Sequence, residues 1–146
     1  MNKHKNKQIP KFARFQKPVL FTSKVPEELE EWARAVRALN DAFRLSFTNT
    51  ELYTSPQILD LDIDTQSEVL ERVRNYRYFD EASDPDMTHS IGVFEHKNLT
   101  FIWEIFCLTP DGKNLSKKPL DLDLTRRHMM ILQENEWWSD LPKKDS

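Results

Sequence analysis

Three side chains have the types and spacing for acid–base chemistry: Asp84, Asp86 and His89. A carboxylate that orients an imidazole makes a general base or acid, so a small hydrolase built on Asp84 and His89 is the catalytic reading. The competing reading is structural. Asp84 precedes Pro85, a pairing that favours a turn, and His89 stands at the exit of that turn. Nothing else gathers into a reaction centre. Gly92 and Gly112 are the only glycines, so no phosphate-cradling loop can be built. His4, His96 and His128 are scattered, and none stands at zinc spacing from the single cysteine, Cys107. Cys107 falls on an apolar strand face, where a thiol is inert. Asp60, Asp62, Asp64 and Glu71 occupy calcium-loop positions, but Thr65 replaces the glycine of the sharp turn. Thr65 and Glu68 read instead as a capping box, and the helix it starts would destroy the loop. No metal and no cofactor is expected.

Charge carries more information than catalytic spacing. The net charge of −3 hides a segregation. Residues 1–26 hold Lys3, Lys5, Lys7, Lys11, Arg14, Lys17 and Lys24 and no acid, a charge of +7; beyond them 14 bases face 24 acids. The basic residues are interleaved with Phe12, Phe15 and Phe21, a pattern that can neutralise phosphates and stack bases. The body carries acids at 27–31, 60–64, 80–86 and 121–123. Acid clusters on a rigid domain can present a negative face to a basic groove and compete there with phosphate. The contact residues predicted on this ground are Asp80, Glu81, Asp84 and Asp86, with Asp60 and Asp62. No run approaches the ~20 apolar residues of a membrane span. No apolar signal core follows the basic start, and a lone cysteine suits a reducing cytoplasm.

The elements that must position these residues are organised around Leu99 to Leu108. One face of this stretch is Leu99, Phe101, Trp103, Ile105 and Cys107; the other is apolar but broken by Glu104. That pattern predicts a central strand covered on both sides. Ser90 to His96 alternates and pairs with it as an antiparallel hairpin through Lys97-Asn98. A helix is predicted over 26–47, with Leu29, Trp32, Val36, Leu39, Phe43 and Phe47 as its stripe. Glu30 with Arg34 and Arg37 with Asp41 stand four apart on its outer face, and Asn40 sits at the stripe's edge. A second helix is predicted over 65–81 and a third over 125–138, with Thr125 as N-cap. Residues 51–54 form a short strand candidate. The expectation is one α+β domain over 25–141, a small antiparallel sheet of about three strands under three helices, flanked by tails at 1–24 and 142–146.

Several pieces resemble, in order and spacing, a family of small bacterial proteins catalogued as a domain of unknown function and often encoded on plasmids and other mobile elements. They are Ala38-Leu39-Asn40-Asp41-Ala42-Phe43-Arg44, Asp84-Pro85 with His89 and Gly92, Phe101-Ile102-Trp103-Glu104-Ile105, and Thr125-Arg126-Arg127. The resemblance spans roughly residues 33–138. The family's most polar segment usually reads Asp-Pro-His-Gly-Glu-His-Asp-Phe-Gly, of which Asp84, Pro85, His89 and Gly92 are matched here. The resemblance implies an accessory role and carries no reaction over. The expected function is therefore non-catalytic binding to a protein partner, as an inhibitor of a CRISPR or restriction enzyme of the host. The alternatives are a nucleic-acid accessory protein acting through Lys3 to Lys17, and the Asp84/His89 hydrolase.

Overall fold

The computed structural model describes residues 27–139. Helix α1 (Glu27–Ser46) leads through a 3-10 turn (Asn49–Glu51) into strand β1 (Leu52–Thr54). Two helices follow, α2 (Pro56–Leu59) and α3 (Ile63–Arg74). The chain then forms strands β2 (Ile91–His96), β3 (Leu99–Leu108) and β4 (Arg126–Gln133) and ends in α4 (Glu134–Ser139). The fold is α+β, with one sheet of order β1-β4-β3-β2.

The hairpin forms as the alternation predicts. β2 and β3 pair antiparallel from Ile91↔Glu104 to His96↔Leu99. Lys97 and Asn98 both take positive φ, 52° and 66°, as a two-residue turn matching the strand twist requires. The first face of β3 is the core. Phe101, Trp103 and Ile105 pack with Phe47, Val69, Val73, Tyr76, Phe94, Met129 and Ile131. Opposite Trp103 in the ladder stands Gly92, where an added Cβ would lie 2.4 Å from the indole Nε1. The indole fills the space a side chain would need.

Several expectations are corrected. Residues 126–133 are a strand, not a helix, and only 134–139 turn helical. β4 lies between β1 and β3, so both of its edges are paired, and a core cluster packs on each of its faces. Met129, Met130, Ile131 and Leu132 are all buried, two on each side. A helix buries such a run on one side only, whereas an internal strand buries all of it. The sheet is mixed rather than antiparallel, because β1 pairs with β4 in parallel, Leu52↔Met129 to Thr54↔Ile131.

α3 begins at Ile63 rather than Thr65. Its N-cap is Asp62, whose Oδ2 accepts from the Thr65 amide at 3.1 Å and whose Oδ1 accepts from Thr65 Oγ1 at 2.7 Å. Glu68 bonds His96 and Lys97 instead. The helix stops at Arg74, because the following aromatics are needed in the core. Tyr76 is buried against Trp103, its hydroxyl donating to the Val93 carbonyl at 3.2 Å. In α1 the buried stripe runs from Ala33 through Val36 and Asn40, continued by Phe47 just past the helix end, while Leu29 and Trp32 remain exposed.

Candidate functional site

α1 places Arg37, Asn40, Asp41 and Arg44 along one flank, at steps of three and four residues. All four reach across to the segment after α3. Arg37 Nη1 donates to the Met87 carbonyl at 2.9 Å. Asn40 Nδ2 donates to the Thr88 carbonyl at 2.9 Å, and its Oδ1 accepts from Arg127 Nε at 2.8 Å. Arg127 Nη2 continues to the Pro119 carbonyl at 3.1 Å. One buried amide thus joins the helix, the 80–90 loop and β4. The Arg37–Asp41 pairing expected from sequence gives way to this arrangement. Asp41 accepts instead from Arg44 Nη1 at 2.9 Å and faces His89 Nδ1 at 2.9 Å.

The loop is wound on its own polar groups. Asp80 Oδ1 accepts from the Ser83 amide, and Asp84 Oδ1 accepts from the His89 amide at 3.0 Å. Asp86 Oδ1 accepts from the amide and hydroxyl of Thr88. Two non-glycine residues adopt the left-handed conformation, Met87 at φ 62° and His89 at φ 57°. Met87 stands where the segment Asp-Pro-His-Gly carries its glycine, the residue that takes this conformation without strain.

His89 is the centre of the site. Its ring lies parallel to Phe79, 3.7 Å between centroids at 7°. Phe79 meets Trp103 edge-on, and the Arg44 guanidinium lies over both rings at 5.3 and 5.4 Å. Nδ1 faces Asp41, and Nε2 faces Asp84 Oδ2 at 3.7 Å. Burial pushes the Asp84 carboxyl up to about 6, against the lowering effect of the His89 amide and ring. Glu104, on the far side of the sheet from Trp103, is held well above the usual carboxylate range by burial and then by Asp86. Burial also raises the Cys107 thiol.

This geometry bears directly on chemistry. A general base needs a ring nitrogen within hydrogen-bond reach of a substrate proton. Both nitrogens of His89 look at carboxylates, and one ring face is covered by Phe79. The neighbouring hydroxyls are committed as well: Thr88 Oγ1 bonds Asp86 and Ser90 Oγ. Among the described residues, no three His, Cys, Asp or Glu side chains converge to hold a metal ion.

The predicted contact residues divide. Asp80, Glu81, Asp60 and Asp62 are exposed, although Asp62 is engaged in the α3 cap. Asp84 is buried with its carboxyl turned inward, and Asp86 is half-buried on Thr88. Lys3, Lys5, Lys7, Lys11, Arg14 and Lys17 lie outside the described residues. Phe79, Arg44 and Arg127 belong to the site without having been singled out for it. Their signal was present: Arg44 and Arg127 stand inside the quoted motifs, and Arg37, Asn40, Asp41 and Arg44 share helical spacing.

Fold and site together define a small α+β domain whose polar loop is pinned between a helix and an internal strand. The chain belongs to the family described as Protein of unknown function (DUF3768), which it matches over residues 54–136. The match leaves out Asn40, Asp41 and Arg44, although these complete the site. No curated protein and no solved structure matches the chain. Among the described residues no helix is long and apolar enough to cross a membrane.

Proposed function

We propose that this is a non-catalytic interaction protein that presents the rigid 80–90 loop to a protein partner. One observation carries the reading. The only histidine of the site has both ring nitrogens directed at carboxylates and a face stacked on Phe79. An imidazole bonded at Nδ1, facing a second carboxylate at Nε2 and stacked on one face supports a loop-positioning role better than a catalytic one. The pinned loop projects the exposed Asp80 and Glu81. Hydrogen bonds from Ser83 and Ala82 hold the Asp80 carboxyl below the usual range, so its charge persists at acidic pH. The partner chemistry that fits is a basic groove of the kind a nucleic-acid enzyme offers, in the cytoplasm of a host whose CRISPR or restriction defence a mobile element must survive.

The test is capture of a partner from host lysate, with and without nuclease. Asp80→Lys/Glu81→Lys should abolish a capture that nuclease treatment leaves intact. Capture lost with nuclease, or with deletion of residues 1–18, would replace this reading with nucleic-acid binding through the basic segment. Turnover of a phosphoester or peptide substrate that disappears in His89→Ala would replace it with the hydrolase.

A further inference from the structure

The strongest unassigned feature lies at the opposite end of the sheet from the hairpin turn, under the long connection between β3 and β4. A cleft of about 800 Å³ opens there, within the ~300–1,000 Å³ of pockets that take ligands. Pro110, Leu115 and Leu124 give it apolar walls, and Lys113, Lys117 and Lys118 stand around it. The loop is held in shape from below. Leu115 bridges to Leu108, the Ser116 amide donates to the Cys107 carbonyl at 2.8 Å, and Thr125 Oγ1 donates to the Lys118 carbonyl at 2.7 Å. Arg126 Nη1 donates to the Pro110 carbonyl at 3.2 Å, adding a guanidinium beside the rim.

The charge distribution is what makes this place unusual. Residues 27–139 contain four lysines, and three of them line the cleft. The fourth, Lys97, is in an ion pair with Glu68; among the described residues none of the other three is. No acid lines the cleft. Two of the loop's own acids are engaged in its turns: Asp111 accepts from Thr109 Oγ1 and the Lys113 amide, and Asp121 accepts from the Asp123 amide. Leu115 and Leu124 are 41% and 45% exposed, so apolar surface is left open between unpaired cations.

We propose that this cleft is a binding site for an acidic peptide segment of a protein partner, with an apolar side chain between Leu115 and Leu124 and carboxylates on Lys113, Lys117 and Lys118. Charge excludes the chain's own residues 1–26, which carry no acid. An anionic membrane fits less well than a peptide, because Asp111, Asp121 and Asp123 on the outside of the same loop would be driven against its surface. The site is independent of the acidic loop and has the opposite sign, so each can fail without the other.

The probe is a labelled synthetic peptide alternating Asp and Glu with Leu, titrated by fluorescence anisotropy against the full chain. Binding should weaken steeply with salt, and a peptide with Lys in place of its acids should not bind. Lys117→Glu/Lys118→Glu should reduce affinity at least about tenfold. The milder Lys117→Ala/Lys118→Ala, with thermal unfolding measured alongside, separates lost binding from lost folding. Glu95→Gln, on the hairpin at the other end of the sheet, should leave the affinity unchanged. Equal binding of both peptides, indifference to the lysine substitutions, or binding to phosphatidylserine vesicles but not to the acidic peptide would each overturn the proposal.

Discussion

Asp84 shows at the scale of one residue what burial does to a group that sequence places on a surface. Its carboxyl is raised to about 6 because it is desolvated against the loop it organises. The sign of the resulting pH dependence follows. The unfolded chain releases this proton near the ordinary carboxylate value, while the folded chain holds it until about pH 6. Between those limits the folded state binds more protons, so this group's contribution to stability falls as pH rises. Asn keeps the Oδ1 acceptor for the His89 amide but cannot titrate. Urea unfolding at pH 4 and pH 7 should therefore show wild type losing on the order of 2–3 kcal/mol relative to Asp84→Asn across that window. Exposed acids such as Asp62 and Glu68, held below their usual range, tilt the total slope the other way and cancel in this difference. A wild-type-minus-Asn difference that stays flat would mean Asp84 is ionised throughout. Met87 makes a second prediction. Its left-handed backbone costs a side-chain-bearing residue about 1–2 kcal/mol, partly offset by the greater chain entropy of glycine. Met87→Gly should raise the unfolding free energy by roughly 0.5–1 kcal/mol.

Among the elements, β4 decides the architecture. It joins the hairpin to β1 and carries Arg127 into the polar site, so the sheet and the pinned loop depend on the same strand. A proline there removes a ladder hydrogen bond and clashes with the pleat. Met130→Pro should eliminate the cooperative unfolding transition, and amides of residues 128–132 should rank among the slowest to exchange in the wild type. Fast exchange there would contradict an internal strand. The misreading of this segment as a helix has a plain cause. Thr125 is a good cap, and a four-residue apolar run has no period of its own. The hairpin was legible because β2 alternates and the two residues between the strands fix the register.

The whole molecule is defined by how charge is distributed over it. A basic segment of +7 precedes an acidic body, and within that body three lysines gather at one cleft. If the acidic loop drives association, the capture described above should weaken between about 50 and 500 mM salt, as the Debye length falls to a few ångströms. It should also lose mainly its on-rate in the Asp80→Lys/Glu81→Lys variant. Salt-independent capture would point to an apolar interface instead.

The amino-acid sequence alone determined the apolar ribbon at 99–108, its hairpin partner, the first helix and the segregation of charge. Each depends on neighbours within a turn or a strand, where side-chain periodicity is imposed directly by backbone geometry. Tertiary structure alone decided that Asp84 faces inward, that His89 is held between two carboxylates, and that Met129 to Leu132 are extended. These outcomes depend on which distant elements meet: Asp41 lies 48 positions from His89, and Asn40 lies 87 from Arg127. No local pattern encodes such meetings, because they are selected by the burial of the whole sheet.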